Sequence, residues 1–331
     1  MSQAMDIDSV LPHHKTARPV APYVTRPPSP PPVVIPAAPM SGWATPMKIV
    51  PSYDSIDPTS MSYKDLAIIT RNGREQVAHD SAVNWTYESR RIAQPILDFL
   101  YLGPSTVVRN RQWLREQGIT MLLAARDTRQ AGLNFMVVDN VAQELGIEVK
   151  YVDVSGYHEL IRAFPSAVRM INEHMVRIYH EQAVNDAANL DVQDGAMVIN
   201  ETNFRRGKVL VFCETGNDRS AGIVTAYLMA ILGMNLVQAC QFINYKRFCV
   251  SMEEDLKHTL KAYEDILLAQ RTVHQHELAS KLNPLPKKAK RGIDETTESE
   301  GDTGMTGMNG PPPSDRARYI DRGVFVPFID N

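Results

Sequence analysis

Cysteine, aromatic residues and an excess of either charge are all scarce in this chain. Its 331 residues hold only three cysteines, at 213, 240 and 249, and aromatics make up 7%. An odd, irregularly spaced trio excludes a disulfide framework and points to a reducing compartment. Lys+Arg number 35 against 38 Asp+Glu, a formal net charge of -3. That balance gives the chain as a whole no electrostatic footprint for nucleic acid. No apolar run approaches the roughly 20 residues of a membrane span. The start, "MSQAMDIDSV", has neither the basic residues nor the apolar stretch of a signal peptide. Histidines do not gather in a metal-ligand pattern: His13 and His14, like His274 and His276, fall in or near expected tails. The expectation is a soluble intracellular protein with no cofactor or metal, and no nucleic-acid or membrane partner.

What is abundant is unevenly placed. Residues 1–60 are proline-rich, and "RPPSPPPVVIPAAP" (Arg26–Pro39) suits extended polyproline conformation and no helix or central strand. A disordered arm is expected there, followed by a lead-in over 61–86. The sharper reading makes the arm a groove-type docking ligand, or places a proline-directed phosphosite at Ser29-Pro30. From about Tyr87, strand and helix patterns alternate. "QPILDFLYLGP" reads as a strand and turn, "VRNRQWLREQG" as a short helix, and "ITMLLAAR" and "EVKYVDVS" as strands. "AFPSAVRMINEHMVRIYHEQ" has helical spacing. A polar insertion over about 182–206 precedes the apolar strand "KVLVF" and the helix "SAGIVTAYLMAIL", apolar on nearly every side. Asn235 is placed to cap the next helix, and Ser251 with Glu254 reads as a capping box for the last. This alternation predicts one α/β domain over 87–270, a central, mostly parallel sheet flanked by helices, with disordered tails. The tail, 271–331, carries the basic run "KKAKR" (Lys287–Arg291), which predicts nuclear import and hence a nuclear and cytoplasmic distribution.

The chemistry gathers at "VLVFCETGNDRS" (Val209–Ser220). In a parallel sheet, ligands sit beyond the carboxyl ends of the strands, where helix N-termini point. Cys213 ends the strand there, and the residues before the helix can turn successive N–H groups inward as an anion nest. Gly216 is free to take the positive φ such a loop requires. Positive potential favours the thiolate, the nucleophilic form of cysteine. Arg219, with five residues between it and Cys213, offers a planar fork for two phosphate oxygens. Alone, a cysteine ending an apolar strand is more often a small core residue. The strand before it, the helix after it and Ser220 beside the arginine favour phosphoryl transfer through a phosphocysteine.

"CETGNDRS" resembles the signature of the cysteine-based protein-tyrosine phosphatases, dual-specificity branch, and the likeness covers roughly residues 90–270. "ILDFLYLGP" and "QGITMLLAAR" resemble that branch's first strands. "KRFCVSMEEDLKHTLKAYE" is most similar to the STYX group of phosphoserine/threonine/tyrosine-interacting proteins, several of which have lost the cysteine. The resemblance implies Cys213 as nucleophile and Arg219 as phosphate ligand. It makes Glu214, Thr215, Gly216, Asn217, Asp218 and Arg219 the amide-lined nest, and Ser220 a hydrogen-bond donor to the thiolate.

The chain departs from the family pattern in four ways. Phe212 stands where histidine is usual, and Glu214 and Asp218 add negative charge to the loop. Met252 and Glu253 replace Pro-Asn. The loop after "EVKYVDVS" is shortened and lacks the general-acid aspartate; Asp153 falls a few residues early, within the strand. An aspartate directly before the arginine also occurs in myotubularin-type lipid phosphatases, where it serves as acid. Asp218 is therefore either a general acid supplied from within the loop or a residue with at most a capping role. The first expectation is a slow dual-specificity phosphatase acting on phosphoprotein. The second is a STYX-like phosphoprotein-binding module. A lipid phosphatase is a third, weakened because "CETGND" has no lysine or arginine for a polyanionic head group.

Overall fold

Five consecutive apolar residues, Val209–Cys213, form a strand with every residue buried. Such a run belongs in the middle of a sheet covered on both faces, and that is where it lies. The computed structural model describes residues 30–36, 46–53, 56, 61–130, 136–186 and 205–282. The chain divides into two units, Met1–Ala279 and Ser280–Asn331. The sheet and the site it positions belong to the first unit; the basic run at 287–291 lies outside the described residues.

In chain order the strands are β1 (Met47–Ile49), β2 (Gln76–Ala78), β3 (Gln94–Pro95), β4 (Leu100–Pro104), β5 (Met121–Asp127), β6 (Glu148–Val154) and β7 (Val209–Cys213). The helices are α1 (Tyr63–Thr70), α2 (Arg111–Gln117), α3 (Met136–Leu145), α4 (Tyr157–Asp186), α5 (Arg219–Ile231), α6 (Leu236–Lys246) and α7 (Glu254–Leu282). The main sheet has the order β3-β4-β7-β5-β6. β4, β7, β5 and β6 run parallel, and β3 pairs antiparallel with β4. The period-2 alternation of β7 divides the core. Val209, Val211 and Cys213 face one cluster with α4, α5, α6 and α7, while Leu210 and Phe212 face the other with Leu114 of α2 and Val141 of α3. Asn235 caps α6 in a reciprocal box with Gln238.

Several boundaries differ from the sequence reading. "QPILDFLYLGP" folds as two strands, because Ile96 and Leu97 turn back to the Leu100 carbonyl. Residues 61–86 are more than a lead-in: α1 sends Leu66 and Ile69 into the core. The insertion expected at 182–206 begins as the last turn of α4 and ends in a fixed segment. Its Arg206 pairs with Asp98, donates to the Ile69 carbonyl and lies over the Phe99 ring. Residues 187–204 are outside the described residues. α7 continues past residue 270, and Glu254 takes no part in the expected capping box, because its carboxylate accepts from the Val33 N–H.

At the N-terminal ends of β5, β6 and β7 a polar clip ties the sheet to α4. Buried His174 contacts Thr120 Oγ1 through Nε2 and Glu148 through Nδ1, each at 2.7 Å, and Thr120 Oγ1 accepts from the Lys208 N–H at 2.8 Å. Burial raises the Glu148 carboxyl, but hydrogen bonds from His174 and Lys150 and the Arg177 charge outweigh it and bring it to about 2. Burial holds His174 below its ordinary value, against the pull of Glu148 and with Arg177 opposing a proton. Both shifts have one sign: the folded state binds fewer protons than the unfolded chain. Stability should therefore fall as pH drops below the ordinary histidine range, and most steeply from the ordinary carboxyl range toward pH 2. Urea midpoints measured from pH 7 to pH 3 check this. Glu148→Gln should flatten the lower part of the curve, and an unaltered acid slope in that variant would remove Glu148 as its cause.

Candidate active site

β7 ends at Cys213 and α5 begins at Arg219, so Glu214–Asp218 must turn the chain beyond the carboxyl end of the sheet. Gly216 makes the turn at φ +74°, and a Cβ there would collide with the Gly103 carbonyl at the end of β4. No other residue fits both the conformation and the space. Its N–H donates to Cys213 Sγ at 3.2 Å, and Ser220 Oγ donates to the same sulfur at 3.0 Å. Asn217 N–H bonds Thr215 Oγ1 at 3.2 Å. The Asp218 carbonyl accepts from Gly222 N–H at 2.9 Å and starts α5. Its side chain makes no capping bond, so a capping carboxylate is not its role.

The Arg219 guanidinium donates to Asp127 Oδ2, at the end of β5, at 2.9 Å. Asp127 also takes the side chain and backbone N–H of Arg129, which with the Arg219 charge hold its carboxyl below the usual range. Anchored through one terminal nitrogen, Arg219 keeps a buried Nε with no partner among the described residues. A cavity of about 480 Å³ opens beside it, walled by Ser105, Arg109, Arg126, Asp127, Cys213 and Arg219.

Asp153 is not at this site. It lies in β6 opposite Arg126, whose guanidinium grips both its oxygens. Only Ser155 and Gly156 connect β6 to α4, so that connection brings no carboxylate to the sulfur. Asp218 is closer, 4.0 Å from an Arg219 nitrogen, and it neighbours Tyr157, the first residue of α4. Burial, then the Asp218 carboxylate, raises the Tyr157 phenol above its ordinary value, which keeps it neutral. Phe212, at the position where histidine was expected, points away from Cys213 into the opposite core cluster and offers the loop no hydrogen bond.

The sequence reading missed Arg247. Its side chain is fully buried beneath the loop. It donates to the carbonyls of Thr215 and Gly216 at 3.2 Å each and to Asn217 Oδ1 at 3.1 Å. It also reaches the carbonyls of Arg90 and Ile92 and the Gln94 side chain. One cation thus fixes the loop to the segment before β4. Cys249, half-buried, donates to the same Asn217 Oδ1 at 3.1 Å. Burial raises its thiol and pushes Cys240 up to about 12, which leaves both poor nucleophiles. Among the described residues no group of three His, Cys, Asp or Glu is placed to hold a metal ion, and no helix is long and apolar enough to cross a membrane.

Comparison with known proteins places the sequence in one family. Residues 100–266 match the family model of the dual specificity phosphatase catalytic domain. The human and mouse serine/threonine/tyrosine-interacting proteins are each 30% identical over 196 residues, which is 59% of this chain and 74% of theirs. The human protein phosphatase Slingshot homolog 2 is 29% identical over 126 residues, 38% of this chain and 8% of its own. The crystal structure of the human tyrosine phosphatase-like serine/threonine/tyrosine-interacting protein superposes with a TM-score of 0.39 at 26% identity, covering 54% of this chain and 99% of that one.

Proposed function

The chain belongs to the dual-specificity phosphatase family, close to its STYX members, and from that premise we propose that it is a slow protein phosphatase working through Cys213. One observation carries the reading: the Cys213 sulfur accepts from both Gly216 N–H and Ser220 Oγ beside an arginine fixed by Asp127. These donors stabilise a thiolate and stand where charge develops when it reacts.

In this scheme Glu214–Arg219 cradle the phosphate of a phosphotyrosine, phosphoserine or phosphothreonine side chain, and Arg219 takes two of its oxygens. The thiolate attacks phosphorus, and the bond from phosphorus to the substrate oxygen breaks. Asp218, protonated, gives its proton to the leaving oxygen. Water then attacks phosphorus, its proton returning to Asp218, and the S–P bond breaks with Ser220 donating to the departing thiolate. The acidic side chains of Glu214 and, when ionised, Asp218 oppose a dianionic ligand, which slows turnover in this scheme. The same acids, with no acid in the β6–α4 connection, favour the second reading, a phosphoprotein-binding module.

Release of phosphate from a small aryl phosphate by the purified chain separates the two, and Asp218→Asn tests the acid. Loss of a general acid should slow phosphotyrosine and phosphoserine peptides by about 10²-fold, while aryl esters with acidic leaving groups lose far less. The basic limb of the pH–rate profile should also depend on Asp218. If Asp218 only repels phosphate, the substitution lowers KM for every substrate alike. That outcome ends the acid assignment and supports the binding module.

A further inference from the structure

Residues Pro30–Pro36, "PPPVVIP", run without helix or strand along a groove between α6 and the first turn of α7. Three side chains of the domain read their backbone. Glu254 accepts from the Val33 N–H, Lys257 donates to the Val33 carbonyl at 3.0 Å, and Gln241 donates to the Pro36 carbonyl at 2.7 Å. Val33 and Ile35 pack against the core, whereas Val34 between them is 73% exposed. The groove they share with the domain is walled by Pro32–Pro36 on one side and by Cys240, Asn244, Tyr245, Val250 and Met252 on the other.

These are the features of a bound peptide. Side chains of an extended chain alternate, so two anchors point inward and the residue between them points to solvent. Prolines 30–32 fix φ and reduce the entropy lost on docking. They also remove N–H donors, so Val33 is the first residue of the run able to donate, and its N–H and carbonyl are both met by side chains. Glu254 and Lys257 are themselves an ion pair one turn apart, and Lys257 then Val33 hold the Glu254 carboxyl below its usual range. The pair therefore presents an acceptor and a donor side by side at neutral pH.

We propose that this groove is a docking site for an extended proline-rich peptide, and that the chain's own Pro30–Pro36 is its ligand in cis. The site is separate from Cys213 and needs no catalysis. Recognition rests on two apolar anchors spaced i, i+2 and on backbone groups, a mode in which main-chain bonds give affinity and alternate pockets give specificity.

A fluorescein-labelled peptide of Arg26–Pro39 added to the full chain tests this. The wild-type chain, its groove filled from within, should bind the peptide at least tenfold more weakly than the full chain carrying Val33→Asp and Ile35→Asp. A peptide with those two substitutions should not bind, and a Val34→Asp peptide should bind like the original. Adding Lys257→Ala and Gln241→Ala to the arm variant should abolish capture. Circular dichroism and phosphate binding at the Cys213 loop report that each variant is folded. Equal binding to wild type and arm variant overturns the proposal. So does no binding to a folded arm variant at millimolar peptide, or a Val34→Asp peptide as impaired as the anchor variant.

Discussion

Cys213→Ser should reduce phosphate release from an aryl phosphate to background, a loss of roughly 10⁴-fold or more, the scale on which hydrolytic enzymes feel removal of a nucleophile. A serine hydroxyl is far too basic to ionise in the loop, so the donors from Gly216 and Ser220 have no thiolate to stabilise. The side chains are nearly isosteric, and serine can keep both hydrogen bonds at a position only 4% exposed. Thermal unfolding should therefore stay close to wild type, and binding of inorganic phosphate through Arg219 should persist. Undiminished turnover in the variant would sink the phosphocysteine scheme. If the wild-type chain itself releases no phosphate, the binding module stands, and the variant should then hold a phosphopeptide as tightly as wild type does.

How much of the fold and the site was legible in sequence depends on how far each feature relies on distant contacts. β7 and α5 were plain because their burial is local and complete: an apolar run ending in Cys213, then a helix apolar all round, leaves few alternatives. Gly216 was legible for the same reason, since a tight loop needs φ > 0 somewhere and only one glycine was present. α1 was hidden because a helix of eight residues is too short to be stable alone and is held by the core it joins, where Leu66 and Ile69 are buried. The docked arm was hidden more deeply. Proline-rich composition speaks for extension and not for contact, and the groove that receives it is made by residues more than 200 positions away. Arg247 is the instructive miss, because a charged residue after a helix ordinarily reads as surface, and its six acceptors come from separate stretches of chain.

Arg247→Ala should destabilise the protein by about 3–5 kcal/mol, the range seen when a buried charged partner is removed from the groups it satisfies. The carbonyls of Arg90, Ile92, Thr215 and Gly216, with the side chains of Gln94 and Asn217, would all lose their donor at once. Burial pulls the guanidinium below its ordinary value, yet arginine stays charged in proteins, so the site tolerates the cation because it is fully hydrogen-bonded. Arg247→Lys is the more informative change. An ammonium has three donors at one point and lacks the planar fork, so it can serve the Arg90–Ile92 side or the loop, but not both. We expect that variant to fold with a smaller loss and to bind inorganic phosphate at least tenfold more weakly, because Thr215–Asn217 lose the anchor that aims Gly216 N–H at the sulfur. Urea denaturation reports the first effect and phosphate titration of the folded variant the second. If Arg247→Ala unfolds within about 1 kcal/mol of wild type, well inside the cost of a single unsatisfied buried group, the arginine does not hold the loop. If Arg247→Lys binds phosphate normally, the loop keeps its shape without the fork, and its order comes from the contact between Gly216 and Gly103.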